Sequence, residues 1–198
     1  VNRALALSAL GRHAEALKVA AASEQMEGSI LEATPMNLAG LAEVRRLAGE
    51  RDLAVRDARE AVAVLERLRE NSIPFDRLKA GFDEGFSWVH GRLVRLLAET
   101  GHEVEALEAS VRARARAFAD LLASRELGAA AASRELRSVG RPSQLLAPVA
   151  TAAAIANQAR QLKSTVLSYW IDEDGLMIWV VTPNGLAAHP TVKVTTHQ

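Results

Sequence analysis

The side chains best suited to acid–base or metal chemistry in this sequence are five histidines, since cysteine is absent: His13, His90, His102, His189 and His197. A metal centre or a general base requires several such groups at a spacing that brings them together. His13 and His102 follow glycines at turns, and His90 falls near the apolar stripe of a helix, where packing explains it. His189 and His197 have no third ligand at a suitable spacing. We therefore predict no metal site and no cofactor.

Motifs that mark catalysis or phosphate binding are also absent. The sequence has no Gly-x-Ser-x-Gly elbow, no glycine-rich phosphate loop and no His-Glu-x-x-His pair. The 24 basic side chains are balanced by 24 acidic ones, whereas proteins that bind nucleic acids or acidic membranes usually carry a basic excess. We predict that this chain is not an enzyme, binds neither nucleic acid nor membranes, and is cytoplasmic.

Three short stretches in the first two-thirds of the chain share one pattern. They begin at Gly11, Gly49 and Gly101, and each continues with two polar residues, two variable positions, an alanine and an aliphatic residue. Apolar residues recur at helical spacing on both sides of each stretch. The pattern predicts helical hairpins in which the glycine ends one helix and the alanine lets the two helices approach. Pro35 marks a helix start, the segment 71–74 breaks a helix, and the last helix is predicted over 103–126.

The last fifty residues change from helical to strand-like spacing. Thr151 is expected to cap a short helix that ends near Lys163. Strands are predicted over 165–171 and 176–182, with a weaker one over 186–189, because these runs are rich in β-branched and aromatic residues and are separated by turn residues. The second strand is apolar at six successive positions, as in sheets covered on both faces. We expect residues outside this chain to complete its cover.

Two families are similar to parts of this sequence. The glycine-centred pattern resembles the helix-turn-helix unit of tetratricopeptide proteins, although His13, Arg51 and Glu103 replace the usual aromatic residue. The run 112–122 resembles the helix that ends such repeats in proteins that join them to a CHAT domain. The run 165–185, with His189, resembles the opening hairpin of that domain. The resemblance implies a caspase-like α/β fold and a parent cysteine peptidase with a His-Cys dyad, but no position in this chain matches the dyad.

The overall prediction is a mainly α protein. Residues 1–126 are expected to form a tetratricopeptide-like solenoid of helical hairpins, with a plain antiparallel bundle as the alternative. Residues 127–150 are a connector, and 151–198 are the start of an incomplete CHAT-like α/β domain. Because the chain begins without Met, we interpret it as a piece of a longer protein.

Three functions are compatible with this organisation. The first is a protein–protein interaction and regulatory module of a caspase-like protein whose catalytic part is absent here. In the second, the parent chain is a peptidase that the repeats hold in check until they sense a trigger. The third is a structural adaptor whose repeats bind a partner and whose hairpin mediates self-association.

The candidate contact residues fall into two sets. Stacked helical hairpins present a concave surface, and a protein or peptide partner is expected there to meet Asn37, Glu43, Arg45, Asp83, Ser87 and Arg92. The second set is expected to meet the remainder of a CHAT-like domain or a second copy of the chain, and consists of Arg112, Arg116, Trp170 and Trp179. Arg112 and Arg116 share a helix face, for which surface salt bridging is the alternative explanation.

Overall fold

The computed structural model describes residues 1–30, 35–71, 76–115, 151–172, 175–188 and 191–192. The chain divides into two compact units, 1–101 and 102–198. The protein is mainly helical, as predicted, with a small antiparallel sheet in the second unit. The predicted connector and the end of the helix predicted over 103–126 lie outside the described residues. The described part of that helix, 103–115, groups with the second unit, whereas the sequence pattern placed it with the repeats.

The described part of the first unit consists of helices α1 to α5, which span Asn2–Ala9, His13–Ile30, Pro35–Leu47, Arg51–Asn71 and Asp76–Glu99. Helix α1 contacts α2 and α3, helix α3 contacts α4 and α5, and α4 contacts α5. Consecutive helices therefore pair as hairpins, while the alternate helices α1, α3 and α5 are neighbours. The described helices begin at Pro35 and end at Asn71, where the sequence pattern places a helix start and a break; the segments 31–34 and 72–75 lie outside the described residues.

Glycines lie at three of the turns, after α1, after α3 and after α5, as the repeated pattern predicts. The φ angles are +73° at Gly11, +85° at Gly49 and +80° at Gly101, a region that is costly for residues with a Cβ. At the first turn, the Arg12 amide donates to the Leu7 carbonyl at 2.9 Å and closes the end of α1. The alanine that follows each glycine is fully buried, at Ala16, Ala54 and Ala106.

The described core of the first unit includes a cluster that α1, α2 and α3 share, and it continues between α3, α4 and α5. Its buried aliphatic side chains include Val44 from α3, Leu65 from α4, and Val89 and Leu97 from α5. Each such side chain contributes about 1.5–3 kcal/mol to folding. This burial explains why α5 continues through three glycines at 81, 85 and 91, although each glycine costs roughly 1 kcal/mol in a helix interior.

The described part of the second unit contains helix α6 over 103–115, helix α7 over Ala152–Gln161 and four strands. The strands β1 to β4 span Val166–Asp172, Gly175–Thr182, Gly185–Ala188 and Thr191–Val192. Strand β2 is central, because it pairs antiparallel with β1 along its length and with β3 and β4. The three predicted strands are present, whereas the short β4 had no signal in the sequence.

Helix α7 begins and ends with well-defined caps. The Thr151 hydroxyl accepts a hydrogen bond from the Ala154 amide at 3.1 Å, which confirms the predicted N-cap. The two buried residues of α7 are Ala156 and Ala159, and the helix contacts β1, β2 and β3. After its end, Lys163 has a φ of +49°, a left-handed conformation in a residue other than glycine.

Candidate interaction surfaces

The α3–α4 hairpin contains a buried ion pair. Arg45 on α3 and Asp57 on α4 are both less than one-tenth exposed, and the Arg45 guanidinium donates to the Asp57 carboxylate. Arg56 also donates to Asp57, at 3.0 Å, and Glu50 lies 3.8 Å from Arg45. Arg45, which the sequence pattern placed on a concave binding face, is therefore directed into the hairpin. A contact between Arg45 and a partner stays a prediction.

A second group of charges joins α3 to α5, and we call Glu43, Arg46, Arg92 and Glu99 the α3–α5 ion cluster. Arg46 donates to the two carboxylate oxygens of Glu43 at 2.7 and 2.9 Å, and Arg92 lies 2.6 Å from the same carboxylate. Arg46 also donates to Glu99 at 3.3 Å. The bond to Glu43 is the main reason why the pKa of Arg46 is raised. Two positive and two negative charges thus balance across the two helices.

The α3–α5 ion cluster brings together candidates from two predicted hairpins. Glu43 and Arg92, 49 positions apart in the sequence, are in direct contact. Asn37 is half-buried on α3 and Ser87 is exposed on α5. The side chain of Asp83 lies outside the described residues. Glu43 and Arg92 thus form an ion pair between α3 and α5, and a contact of these candidates with a partner stays a prediction.

One face of the β-sheet exposes large apolar side chains. Three cross-strand pairs share this face, and we call them the open sheet face: Leu167 with Val180, Tyr169 with Ile178, and Ile171 with Leu176. The β1 members are 62%, 58% and 68% exposed in that order. The β2 members are half-buried.

The opposite face of the sheet is covered. On β2, burial alternates residue by residue, with Met177, Trp179 and Val181 buried. Trp179 is only 1% exposed, and its cross-strand partner Ser168 is also buried. Helix α7 packs against the strands, and its buried alanines allow a close approach. Of the predicted self-association residues, Trp179 is thus packed inside the unit, and Trp170 is half-buried on the same covered face.

Helix α6 is connected to both the sheet and α7 by polar side chains. Arg114 donates to the Ser168 hydroxyl at 2.6 Å and to the Tyr169 carbonyl at 3.1 Å. Burial is the main cause of a lowered pKa for Arg114, although a guanidinium remains charged at neutral pH. The Glu108 carboxylate accepts a hydrogen bond from the Ala152 amide at 2.9 Å, at the positive end of α7.

The arginine that connects α6 to the sheet is the one that the sequence pattern left out. Helical spacing separates Arg114 from Arg112 and Arg116, but it does not show which helix face meets the strands. Arg112 is exposed on α6, and Arg116 lies outside the described residues. The sequence signal that could have found Arg114 is its helix face. It lies two residues from Arg112 and from Arg116, so it faces a different direction from both.

The described residues contain neither a metal-binding cluster nor a membrane-spanning helix. Within them, no three His, Asp or Glu side chains lie close enough to hold a metal ion. His90 is buried on α5 and its Nε2 lies 3.9 Å from the Glu66 carboxylate of α4, consistent with a packing role. No helix in this part of the chain is both long and apolar enough to cross a bilayer. Comparisons with protein-family models, curated proteins and solved structures found no match.

Proposed function

We propose that this chain is a protein–protein interaction and regulatory module of a caspase-like (CHAT) protein in the cytoplasm. Its helical hairpins bind a protein or peptide partner, and its sheet belongs to a CHAT-like domain that other residues complete. Any peptidase activity resides outside this chain. The observation that carries this proposal is that α1, α3 and α5 are neighbours. Helix α1 pairs with α2 and α3 pairs with α4 as hairpins, and α5 is followed by the turn at Gly101.

The neighbouring first helices provide a surface suited to a peptide. In stacked helical hairpins, each unit contacts only its neighbours, and the repeated helices create an extended concave surface. The α3–α5 ion cluster lies where two such helices meet. Because its four charges balance, an incoming peptide with its own charged groups can exchange partners with Glu43 or Arg92 without leaving a charge buried alone. The proposal therefore favours a partner with charges of both signs.

Selection of peptides from a random library displayed on phage, with the full chain as bait, tests this proposal. Peptides that bind are then measured against Arg92→Glu and against the control Arg67→Glu. Arg67 is a suitable control because it forms an exposed ion pair with Glu60, 2.9 Å away on α4. We expect the Arg92 change to weaken binding by about tenfold or more, as for a charge in a central contact, and the control to leave it unchanged. Circular dichroism confirms that both variants are folded.

Equal affinity for the Arg92 variant and the wild type would exclude this surface. A library that yields no peptide for the full chain would count against the proposal as a whole. Binding that is lost equally in both variants would indicate a general loss of structure or a non-specific electrostatic attraction.

A second candidate function is favoured by the open sheet face. Contiguous apolar side chains on a protein surface are typical of sites that bind other proteins. Leu167, Tyr169 and Ile171 form such a group beside half-buried neighbours. A structural adaptor would use its helical hairpins for one partner and this face for self-association. The two candidates differ in whether the open sheet face meets a second copy or the remainder of a larger domain.

A further inference from the structure

We infer that Arg114 blocks the outer edge of strand β1 and so prevents β1 from pairing with β1 of a second copy. The outer edge of β1 consists of the backbone N–H and C=O groups of Leu167, Tyr169 and Ile171. The contact is autoinhibitory, because a side chain of the chain itself takes the place of an added strand. This inference goes beyond both candidate functions, since it concerns a strand edge and neither the helical surface nor the open sheet face.

The register of the hairpin shows which backbone groups of β1 point away from β2. Asp172 pairs with Gly175 across only two intervening residues, and a pair that flanks such a short turn is hydrogen-bonded. Hydrogen-bonded and non-hydrogen-bonded pairs alternate along an antiparallel hairpin. Tyr169, three pairs further along, therefore belongs to a non-hydrogen-bonded pair, as do Leu167 and Ile171. The N–H and C=O groups of these three residues thus point to the outer edge.

Strand β1 has the properties of an edge that adds a further strand. Among the described residues, only β2 pairs with β1. Proteins usually oppose pairing at an edge with short strands, lysines, prolines or bulges. Strand β1 is seven residues long, contains neither lysine nor proline, and keeps a continuous register with β2. Another device must therefore keep its outer edge from pairing.

Arg114 lies at the middle of the outer edge. Its guanidinium donates to the Tyr169 carbonyl at 3.1 Å and to the Ser168 hydroxyl at 2.6 Å. In a sheet, neighbouring strands lie about 4.8 Å apart, with the amide nitrogen of one about 2.9 Å from the carbonyl oxygen of the other. The guanidinium nitrogen therefore lies where the amide of an added strand would have to lie. A charged side chain at a strand edge is a common means of preventing such pairing.

The strand that Arg114 excludes is β1 of a second copy. Two copies of β1 can pair antiparallel about a two-fold axis at Tyr169, so that the two Tyr169 residues form the central hydrogen-bonded pair. Leu167 of each copy then lies opposite Ile171 of the other, which places apolar side chains together on one face of the joined sheet. The single charged residue of β1 is its last, so the two charges lie at opposite ends. The central pair requires the Tyr169 carbonyl, which is the atom that Arg114 engages.

The first experiment compares Arg114→Met with the wild type by sedimentation equilibrium of the full chain. Methionine keeps an apolar stem but has no N–H donor. Arg112→Met is the control, because Arg112 is exposed on the same helix. A hydrogen bond from a charged group is worth about tenfold or more in an equilibrium constant, and dimerisation requires both copies to give up this bond. We therefore expect Arg114→Met to lower the dimer dissociation constant about 100-fold, and the control to leave it unchanged.

A second variant keeps Arg114 and removes the hydroxyl that positions it. Ser168→Ala should lower the dissociation constant by about two- to tenfold, because Arg114 then loses its shortest hydrogen bond to β1. Equal constants for the wild type, Arg114→Met and Ser168→Ala would overturn the inference. Assembly beyond the dimer would also overturn it, since a two-fold pairing uses the outer edge of both copies and leaves none for a third.

Two changes at Leu167, each combined with Arg114→Met, distinguish pairing through the edge from packing through the open sheet face. Leu167→Pro removes an N–H of the outer edge but keeps an apolar side chain, and proline is tolerated where its nitrogen faces away from the neighbouring strand. Leu167→Ala keeps the N–H and removes most of the side chain. Edge pairing predicts that proline raises the dissociation constant about tenfold or more and that alanine raises it by a smaller factor. An effect of alanine equal to or larger than that of proline would assign the association to the open sheet face and refute the inference.

Discussion

The guanidinium of Arg114 lies 2.6 Å from the hydroxyl of Ser168 and connects helix α6 to strand β1. The two residues are 54 positions apart, and Ser168 is only 8% exposed. A buried hydroxyl that loses its partner is costly. This contact, together with the bond from Arg114 to the Tyr169 carbonyl, makes α6 part of the second unit.

Removal of this connection should loosen β1. We expect Arg114→Ala to lower the free energy of opening of the β1 amides by about 1–3 kcal/mol, because Ser168 and the Tyr169 carbonyl lose a charged donor. Hydrogen exchange followed by mass spectrometry measures this change. Arg112→Ala, an exposed neighbour on the same helix, should change it by less than about 0.5 kcal/mol. Equal protection of β1 in the two variants would contradict the role of Arg114.

The buried pair of Arg45 and Asp57 should make the α3–α4 hairpin sensitive to single substitutions. Asp57→Ala leaves the Arg45 guanidinium buried without its main partner, and we expect it to destabilise the first unit by about 3–5 kcal/mol. The double variant Arg45→Met with Asp57→Leu should recover most of that loss, because no buried charge remains. Denaturant unfolding followed by circular dichroism measures both effects. Glu60→Ala, at an exposed ion pair, is the control and should cost no more than about 1 kcal/mol.

Lys163 offers a position where glycine should stabilise the protein. Its φ of +49° is favourable for glycine but costs other residues about 1–2 kcal/mol. Part of this gain is offset by the greater freedom of glycine in the unfolded chain, so we expect Lys163→Gly to stabilise the second unit by about 0.5–1 kcal/mol. Thermal unfolding measures the change. Gly49→Ala, at a turn with a φ of +85°, should shift the stability of the first unit in the opposite direction.

Peptide hydrolysis is not expected from this chain. It contains no cysteine, and the described histidines are explained by turns and packing. Fluorogenic peptides of varied sequence, incubated with chain purified by two independent routes, provide the measurement. Hydrolysis of equal specific activity in both preparations would contradict the prediction and would require a catalytic group that the sequence motifs do not reveal.

The local structure of the helices and strands could be predicted from the sequence with little loss. Gly11 and Gly49 end helices at positive φ, Pro35 begins α3 and Thr151 caps α7, each as predicted. These outcomes depend on backbone sterics and on hydrogen bonds between residues a few positions apart. Strands β1, β2 and β3 were predicted for the same reason, because β-branched and aromatic residues and turn residues act locally, whereas the two-residue β4 was not predicted.

The partners of each side chain were decided by the tertiary structure. The six apolar positions of β2 suggested that both faces are covered, but burial alternates, and Leu167, Tyr169 and Ile171 on β1 remain exposed. Arg45 belongs to the interior of a hairpin, and Arg114 rather than Arg112 reaches the sheet. Periodicity defines which residues share a face, but burial and pairing depend on residues far away in the sequence that cover that face. For this reason the sequence by itself determined the turns and caps at which several helices and strands begin or end, and only the packed chain determined which of their faces stay open.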